Sequence, residues 1–164
     1  MKLLNKKKIL TPFNAFRNSF TFDDVADFIF SAGVSGAYGI LFRGNVKENP
    51  KYFLSILNSL LMDKYLKTIS TALRGGFYSY ENKYIKQLPM KLIDFSNAME
   101  RRIHDDLVSL VDIMLELNKK IQTSKGREKE QIQRQIEKID KEIDNLVYSL
   151  YGITDEERKI IEKQ

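Results

Sequence analysis

The chain of 164 residues contains no cysteine. That excludes a disulfide scaffold, a thiolate zinc site and a cysteine nucleophile together. It also fits a reducing interior, so a cytoplasmic location is expected. Histidine is almost as scarce, with His104 alone in the sequence. It sits beside Ile103 near the start of a heptad pattern, where it reads as a surface or seam-edge residue and not as a general base. No apolar run reaches the length of about 18 residues that a membrane span requires. The charges of Met1-Lys-Leu-Leu-Asn-Lys-Lys-Lys8 have no apolar segment behind them, so a secretory signal is not expected. Metal-ligand spacing is missing among His, Asp and Glu. Asp23, Asp24 and Asp27 form a small acidic group that could hold a cation but reads first as a solvated turn, and Asp105, Asp106, Asp112 and Glu116 read as helix-surface charges. Gly33-Val-Ser-Gly36 is too short for a phosphate loop and lacks the Gly or Lys that would follow it. These absences leave no credible catalytic site.

What is present suits a folded binding protein. Apolar residues make up 43% and aromatics 11%, ordinary values for a chain with one hydrophobic core. The net charge of +5 is unevenly spread. Residues 1–91 hold 14 Lys and Arg against 6 Asp and Glu, whereas residues 92–164 hold 13 against 16. A basic first half joined to a slightly acidic second half fits a polyanion-binding head on a spacer.

The local patterns agree with that division. Phe20 and Phe22, then Phe28 and Phe30, then Tyr38, Ile40 and Phe42 repeat every second residue, the mark of half-buried strands. The turn between the second and third sets is Ser31-Ala-Gly33-Val-Ser-Gly36, and Arg43-Gly44-Asn45 ends the third strand. Asn49-Pro50 reads as an N-cap and first turn. Phe53, Leu54, Leu57, Leu60, Leu61 and Tyr65 then predict one helix over about residues 50–69, followed by a loop from Ser70 to Tyr80.

Beyond Pro89 the sequence turns helical. Ile103, Leu107, Leu110, Met114, Leu117 and Ile121 form one seam, and Ile132, Ile136, Ile139, Ile143, Leu146 and Leu150 form another. The polar stretch between them contains Gly126, so the pattern predicts an antiparallel, coiled-coil-like hairpin. Tyr151-Gly152 ends it, and Thr154-Asp-Glu-Glu157 is a capping box for a short terminal helix. The expected fold class is α+β, with a head at 1–91 and a helical spacer at 92–164.

Candidate binding residues concentrate in the head. Arg17, Arg43 and Arg74 are its only arginines. A guanidinium can meet guanine O6 and N7 with two hydrogen bonds. Lys47, Lys51, Lys67, Lys83 and Lys86 suit phosphates. Gly75 and Gly76 would let a backbone approach DNA, and Tyr78 and Tyr80 could donate to phosphates or stack on bases. The competing reading makes the arginines surface solubilisers and the tyrosines part of a packed strand face. Val108, Val111 and Val147, beside the helical seams, leave room for an outer docking stripe.

Several of these segments resemble a known family. Leu54-Ser-Ile-Leu-Asn-Ser59, Tyr65-Leu66, Arg74-Gly-Gly-Phe-Tyr78 and Tyr84-Ile-Lys-Gln-Leu-Pro89 are similar to the C-terminal target-recognition region of type IIG restriction-modification enzymes, best known as the TaqI-like C-terminal specificity domain. Arg17-Asn-Ser-Phe-Thr-Phe-Asp23 and Tyr38-Gly-Ile40 resemble the strands before its helix. The run from Ile143 to Glu157 resembles the family's ending, so the similarity extends over about residues 9–162. The recognition head and spacer helices also resemble the plan of type I specificity subunits.

The resemblance implies sequence-specific recognition of duplex DNA for an adenine methyltransferase, often fused to a nuclease. The methyltransferase Asn-Pro-Pro-Tyr motif, its cofactor-binding glycines and a nuclease carboxylate-lysine set are absent from this sequence. The chain is therefore expected to be a non-catalytic C-terminal portion, with strands upstream of Asn5 belonging to a larger parent. No cofactor is expected here. S-adenosylmethionine and magnesium would belong to upstream methyltransferase and nuclease domains, or to a catalytic subunit. A helical interaction module, or a half specificity subunit that forms a homodimer through its helices, is the alternative.

Overall fold

The computed structural model describes residues 6–25 and 36–163. They fall into two compact units, 1–90 and 91–164. The architecture is α+β, a small antiparallel sheet with helices followed by two long packed helices and a short terminal one. Asp27, Phe28, Phe30 and all of the Ser31–Gly36 turn except Gly36 lie outside the described residues.

Unit 1 carries β1 (Lys8–Pro12), β2 (Asn14–Ala15), β3 (Thr21–Asp23), β4 (Ala37–Ile40), α1 (Pro50–Asn58), α2 (Leu60–Ile69), β5 (Tyr78–Ser79) and α3 (Asn82–Ile85). Its main sheet has the order β3-β1-β4, both pairings antiparallel, with Ile9 opposite Phe22 on one side and Ile40 on the other. The central strand β1 has no alternating pattern because four of its five residues are buried. Lys8 lies opposite Asp23, and the two side chains pair at 2.6 Å in the interior. Asp23 is thus a core residue and not part of a solvated turn. A buried carboxylate is tolerated there because a cross-strand ammonium meets it. Strand β4 ends at Ile40, short of the expected Phe42, whose ring leaves the sheet line to stack on Phe53 at 5.4 Å.

The single helix expected over 50–69 is two helices. Asn49 caps α1 as its sequence implied, accepting a hydrogen bond from the Lys51 backbone. At Ser59 the backbone turns extended, with φ −65° and ψ 153°. The Ser59 hydroxyl donates to the Ile56 carbonyl at 2.7 Å and accepts from the Met62 N–H at 3.3 Å. One serine therefore closes α1 and opens α2, a local bond that competes with helix continuation. The apolar spacing runs through the break, which hides it from periodicity.

Unit 2 contains α4 (Ala98–Thr123), α5 (Gly126–Tyr151) and α6 (Asp155–Glu162). The first two are 26 residues each and pack as an antiparallel hairpin, each about 39 Å long at about 1.5 Å per residue. Gly152 ends α5 in the left-handed region at φ 66°, and the Thr154–Glu157 capping box opens α6, both as expected. The Thr154 backbone N–H, then its hydroxyl, hold the Glu157 carboxyl below its ordinary value.

The buried seam is broader than the two six-residue rows. His104, Leu107, Val111 and Leu117 are buried on α4, and Ile132, Ile143, Val147, Tyr148 and Leu150 on α5. A helix at 3.6 residues per turn drifts about 20° per heptad from a strict seam, which brings Val111 and Val147 inward. Neither belongs to an outer docking stripe. His104 is not a surface residue, because Phe95 packs edge-on against its ring at 5.3 Å. Leu110 and Leu146 instead line an open groove of about 410 Å³ with Asp106, Ser109, Glu142 and Asn145. Among the described residues no helix is long and apolar enough to cross a membrane.

Candidate nucleic-acid interface

A second, two-stranded sheet builds the candidate site by pairing Asn14 with Ser79 and Ala15 with Tyr78. It joins the segment after β1 to the turn that precedes β5. That turn is closed by the Leu73 N–H donating to the Phe77 carbonyl at 2.7 Å, with Ala72 bridged to Tyr78. Arg74, Gly75 and Gly76 form a short 3-10 turn in which both glycines have φ of 82°, a region that L side chains seldom occupy. Gly76 is constrained twice over. A Cβ there would lie 2.9 Å from Cε2 of Phe16. Phe16 in turn meets Phe77 edge to face, with ring centroids 6.3 Å apart. The pair stands out in solvent, Phe16 63% and Phe77 45% exposed, with Leu73 beside Arg74 also exposed.

The segment carrying Phe16 and Arg17 is fixed from behind by Asn18. Its backbone N–H donates to Asp63 at 2.9 Å, and its side-chain amide donates to the Leu57 carbonyl. Its Oδ1 accepts from the Tyr80 hydroxyl at 2.8 Å. Two residues on, the Phe20 backbone exchanges hydrogen bonds of 2.9 Å with the Asn58 side chain. The break at Ser59 serves this arrangement, because Leu57 and Asn58 end α1 and point polar groups away from the helix ladder.

The sequence-derived candidates separate into distinct groups. Arg17 follows β2 and Arg74 lies in the turn before β5, both exposed. Among the described residues no ion pair or hydrogen bond ties either guanidinium. Tyr78 is half-buried, with the Lys67 ammonium 5.5 Å from its ring centre, and that ammonium also pairs with Asp63 at 2.6 Å. Lys83 is exposed, pairs with Glu81 at 3.2 Å and lies over the Tyr84 ring at 4.9 Å. Its hydrogen bond to Glu81 raises the Lys83 pKa, and the same bond, with one from Ser79, lowers that of Glu81. Tyr84 bonds to the Thr71 hydroxyl, which moors α3 beside the turn.

Arg43 and Lys47 are exposed on the loop between β4 and α1, a different element from the β2–β5 pair. Lys86 is exposed at the rim of an apolar pocket of about 400 Å³ lined by Ile9, Ile40, Phe42, Phe53 and Leu88. Tyr80 is not a surface residue at all. It is 0% exposed, packs against Phe20 at 5.9 Å, and its pKa is raised by burial and then by the Asp63 charge. Its role is in the core, which the packed-strand reading of the tyrosines had covered. Phe16 was absent from the sequence-derived set. Its adjacency to Arg17, outside the alternating Phe20–Phe22 pattern, was the available signal.

Residues 1–90 match the family model for the TaqI-like C-terminal specificity domain. The chain belongs to this family. It is 27% identical over 145 residues to the type II restriction enzyme and methyltransferase RM.Eco57I of Escherichia coli, covering 86% of this chain and 14% of that protein. It is 30% identical over 111 residues to the type II methyltransferase M.HincII of Haemophilus influenzae, covering 65% of this chain and 21% of that protein. The chain thus spans between a seventh and about a fifth of the curated relatives it matches. Membership in the TaqI-like specificity family supports a DNA-recognition role and fits a non-catalytic part of a restriction-modification enzyme. Among the described residues no cluster of three or more His, Asp or Glu is placed to hold a metal.

Proposed function

We propose that this chain is the target-recognition part of a type II restriction-modification system and binds a specific sequence in duplex DNA. Residues 1–90 act as the reading head, and the α4–α5 hairpin acts as a helical spacer toward the catalytic part. Arg17 and Arg74 hydrogen-bond base edges, while Lys67, Lys83, Lys86, Arg43, Lys47 and the Tyr78 hydroxyl contact phosphates. Methyl transfer from S-adenosylmethionine, and any magnesium-dependent cleavage, are carried out by a parent protein or partner subunit in the cytoplasm.

The observation that carries this reading is the pairing of β2 with β5 in a specificity-family domain. Arg17 follows one of these strands and Arg74 precedes the other, both exposed, and among the described residues no carboxylate pairs with either guanidinium. Such a group has its hydrogen-bonding capacity intact for a guanine edge or phosphate. Lys67 and Lys83 already have carboxylate partners and fit the weaker role of a phosphate contact.

The test begins with selection of bound duplexes from a random-sequence pool, followed by anisotropy titrations of Arg74→Ala. A base-reading Arg74 gives a loss of about 1–3 kcal/mol on the selected site and little change on unrelated duplexes. An equal loss on every sequence demotes Arg74 to a phosphate contact. The wild-type salt slope, about −0.9 per phosphate neutralised, gives the number of ionic contacts. A protein-docking role for the hairpin has less support, because Met99 and Ile113 are exposed on α4 but Arg102, Asp106 and Ser109 interrupt the surface between them.

A further inference from the structure

We infer that the Phe16–Phe77 pair, backed by Leu73, reads thymine by enclosing its 5-methyl group beside the base pairs faced by Arg17 and Arg74. The inference rests on the DNA-recognition reading and extends it to a class of base.

Three observations support it. First, the two rings meet edge to face at 6.3 Å, and Phe16 lies over Gly76, where a Cβ would stand 2.9 Å from its ring. Second, the patch is exposed although larger apolar side chains of the same unit, such as Tyr52 and Tyr80, are fully buried. An apolar patch left in solvent marks a contact surface. Third, its charge surroundings choose the occupant. Arg17 directly follows Phe16, Arg74 opens the turn that leads to Phe77, and among the described residues neither arginine is paired with an acid. An apolar centre with cationic edges is complementary to a small apolar group set among anions and acceptors. In the DNA major groove that group is the thymine methyl, which stands beside base acceptors and below phosphates. Cytosine offers no methyl at that position, so the contact discriminates between pyrimidines.

The experiment uses the full 164-residue chain and a duplex selected from the random-sequence pool. Each thymine is replaced in turn by deoxyuridine, which removes only the methyl. At one or two positions binding is expected to weaken about fourfold per methyl lost, from the worth of one buried methyl-sized group. Phe16→Ala and Phe77→Ala should abolish this thymine preference while leaving the salt slope unchanged, because the phosphate contacts are intact. Gly76→Ala, which keeps both rings but displaces Phe16, should reduce the preference too.

Equal binding of thymine and uracil duplexes at every position overturns the inference while the recognition reading stands. Retention of the full preference by both phenylalanine variants overturns it as well. Thymines that become hyper-reactive to permanganate in the complex would mean that a ring enters the base stack, and would also overturn the methyl contact. Failure of the chain to bind any duplex overturns both readings.

Discussion

Asn18 is the residue whose removal should most directly uncouple the candidate site from its support. Asn18→Ala deletes two side-chain hydrogen bonds, the one given to the Leu57 carbonyl and the one accepted from Tyr80. It leaves the bond from its own backbone N–H to Asp63 in place. The larger cost falls on Tyr80, whose hydroxyl is stranded in a residue that is fully buried. An unsatisfied buried donor costs about 1–3 kcal/mol, and the lost bond to Leu57 adds about 1. The expected total is roughly 2–4 kcal/mol. Tyr80→Phe removes the donor itself and should cost only about 1 kcal/mol. In that background Asn18→Ala strands no hydroxyl and loses only the bond to Leu57, so the two substitutions should couple by about 1 kcal/mol or more. Urea titrations followed through amide signals of β1 and α1 would score unit 1 apart from the helical hairpin. Additivity of the two variants within about 0.3 kcal/mol would refute the shared bond. If Tyr80→Phe kept full stability but weakened DNA binding, the assignment of Tyr80 to the core would be wrong.

Two further outcomes follow from the interior of unit 1. Asp23→Ala leaves the buried Lys8 ammonium without its carboxylate and should destabilise by about 3–5 kcal/mol, whereas the paired change Lys8→Met with Asp23→Leu should cost far less; urea midpoints of the two variants distinguish these outcomes. Alkaline stability should depend on Tyr80, because a phenol whose pKa is raised in the fold contributes fully below its ordinary value of 10.0 and loses that contribution as pH rises beyond it. Wild type should therefore lose stability above that pH more steeply than Tyr80→Phe, measured as urea midpoint against pH.

The helical half was the more legible in sequence, because its determinants are local. Gly152, Thr154 and Glu157 act within one turn, and each does in the structure what its identity implies. The seam was legible in period but not in width, since what covers His104 is Phe95, from the segment before the helix. The head was harder to read for a related reason. β1 is central, and its Lys8-Ile-Leu-Thr-Pro12 run shows neither alternation nor an all-apolar composition. Its lysine is inside because of an aspartate on β3, a pairing that local pattern does not encode. Ser59 breaks a helix whose apolar spacing continues unbroken through Leu60 and Leu61. Within the candidate site, the Arg74-Gly-Gly turn was readable because two glycines mark unusual backbone. Phe16 was not, because its partner ring comes from the other side of a tertiary strand pairing.

The division between neighbours around Asn18 has a consequence for how such a head can vary. Phe16 and Arg17 are exposed and contribute little to the core, while Asn18 and Phe20 hold their segment to α1, α2 and Tyr80. The same division recurs around β5, where exposed Arg74 and Phe77 in the preceding turn lead to buried Ser79 and Tyr80. Surface substitutions that break no buried contact usually change stability by less than about 0.5 kcal/mol. Replacing Phe16, Arg17, Arg74 or Phe77 therefore leaves the frame standing and alters only what the surface meets. Under the proposed function, target sequence is then free to change at these positions without a new fold. The Ser59 break is part of the same design, since it turns the end of α1 into hydrogen-bonding groups for residues 18–20. A continuous helix would take the Leu57 carbonyl into its own backbone ladder and remove the bond that Asn18 gives to it.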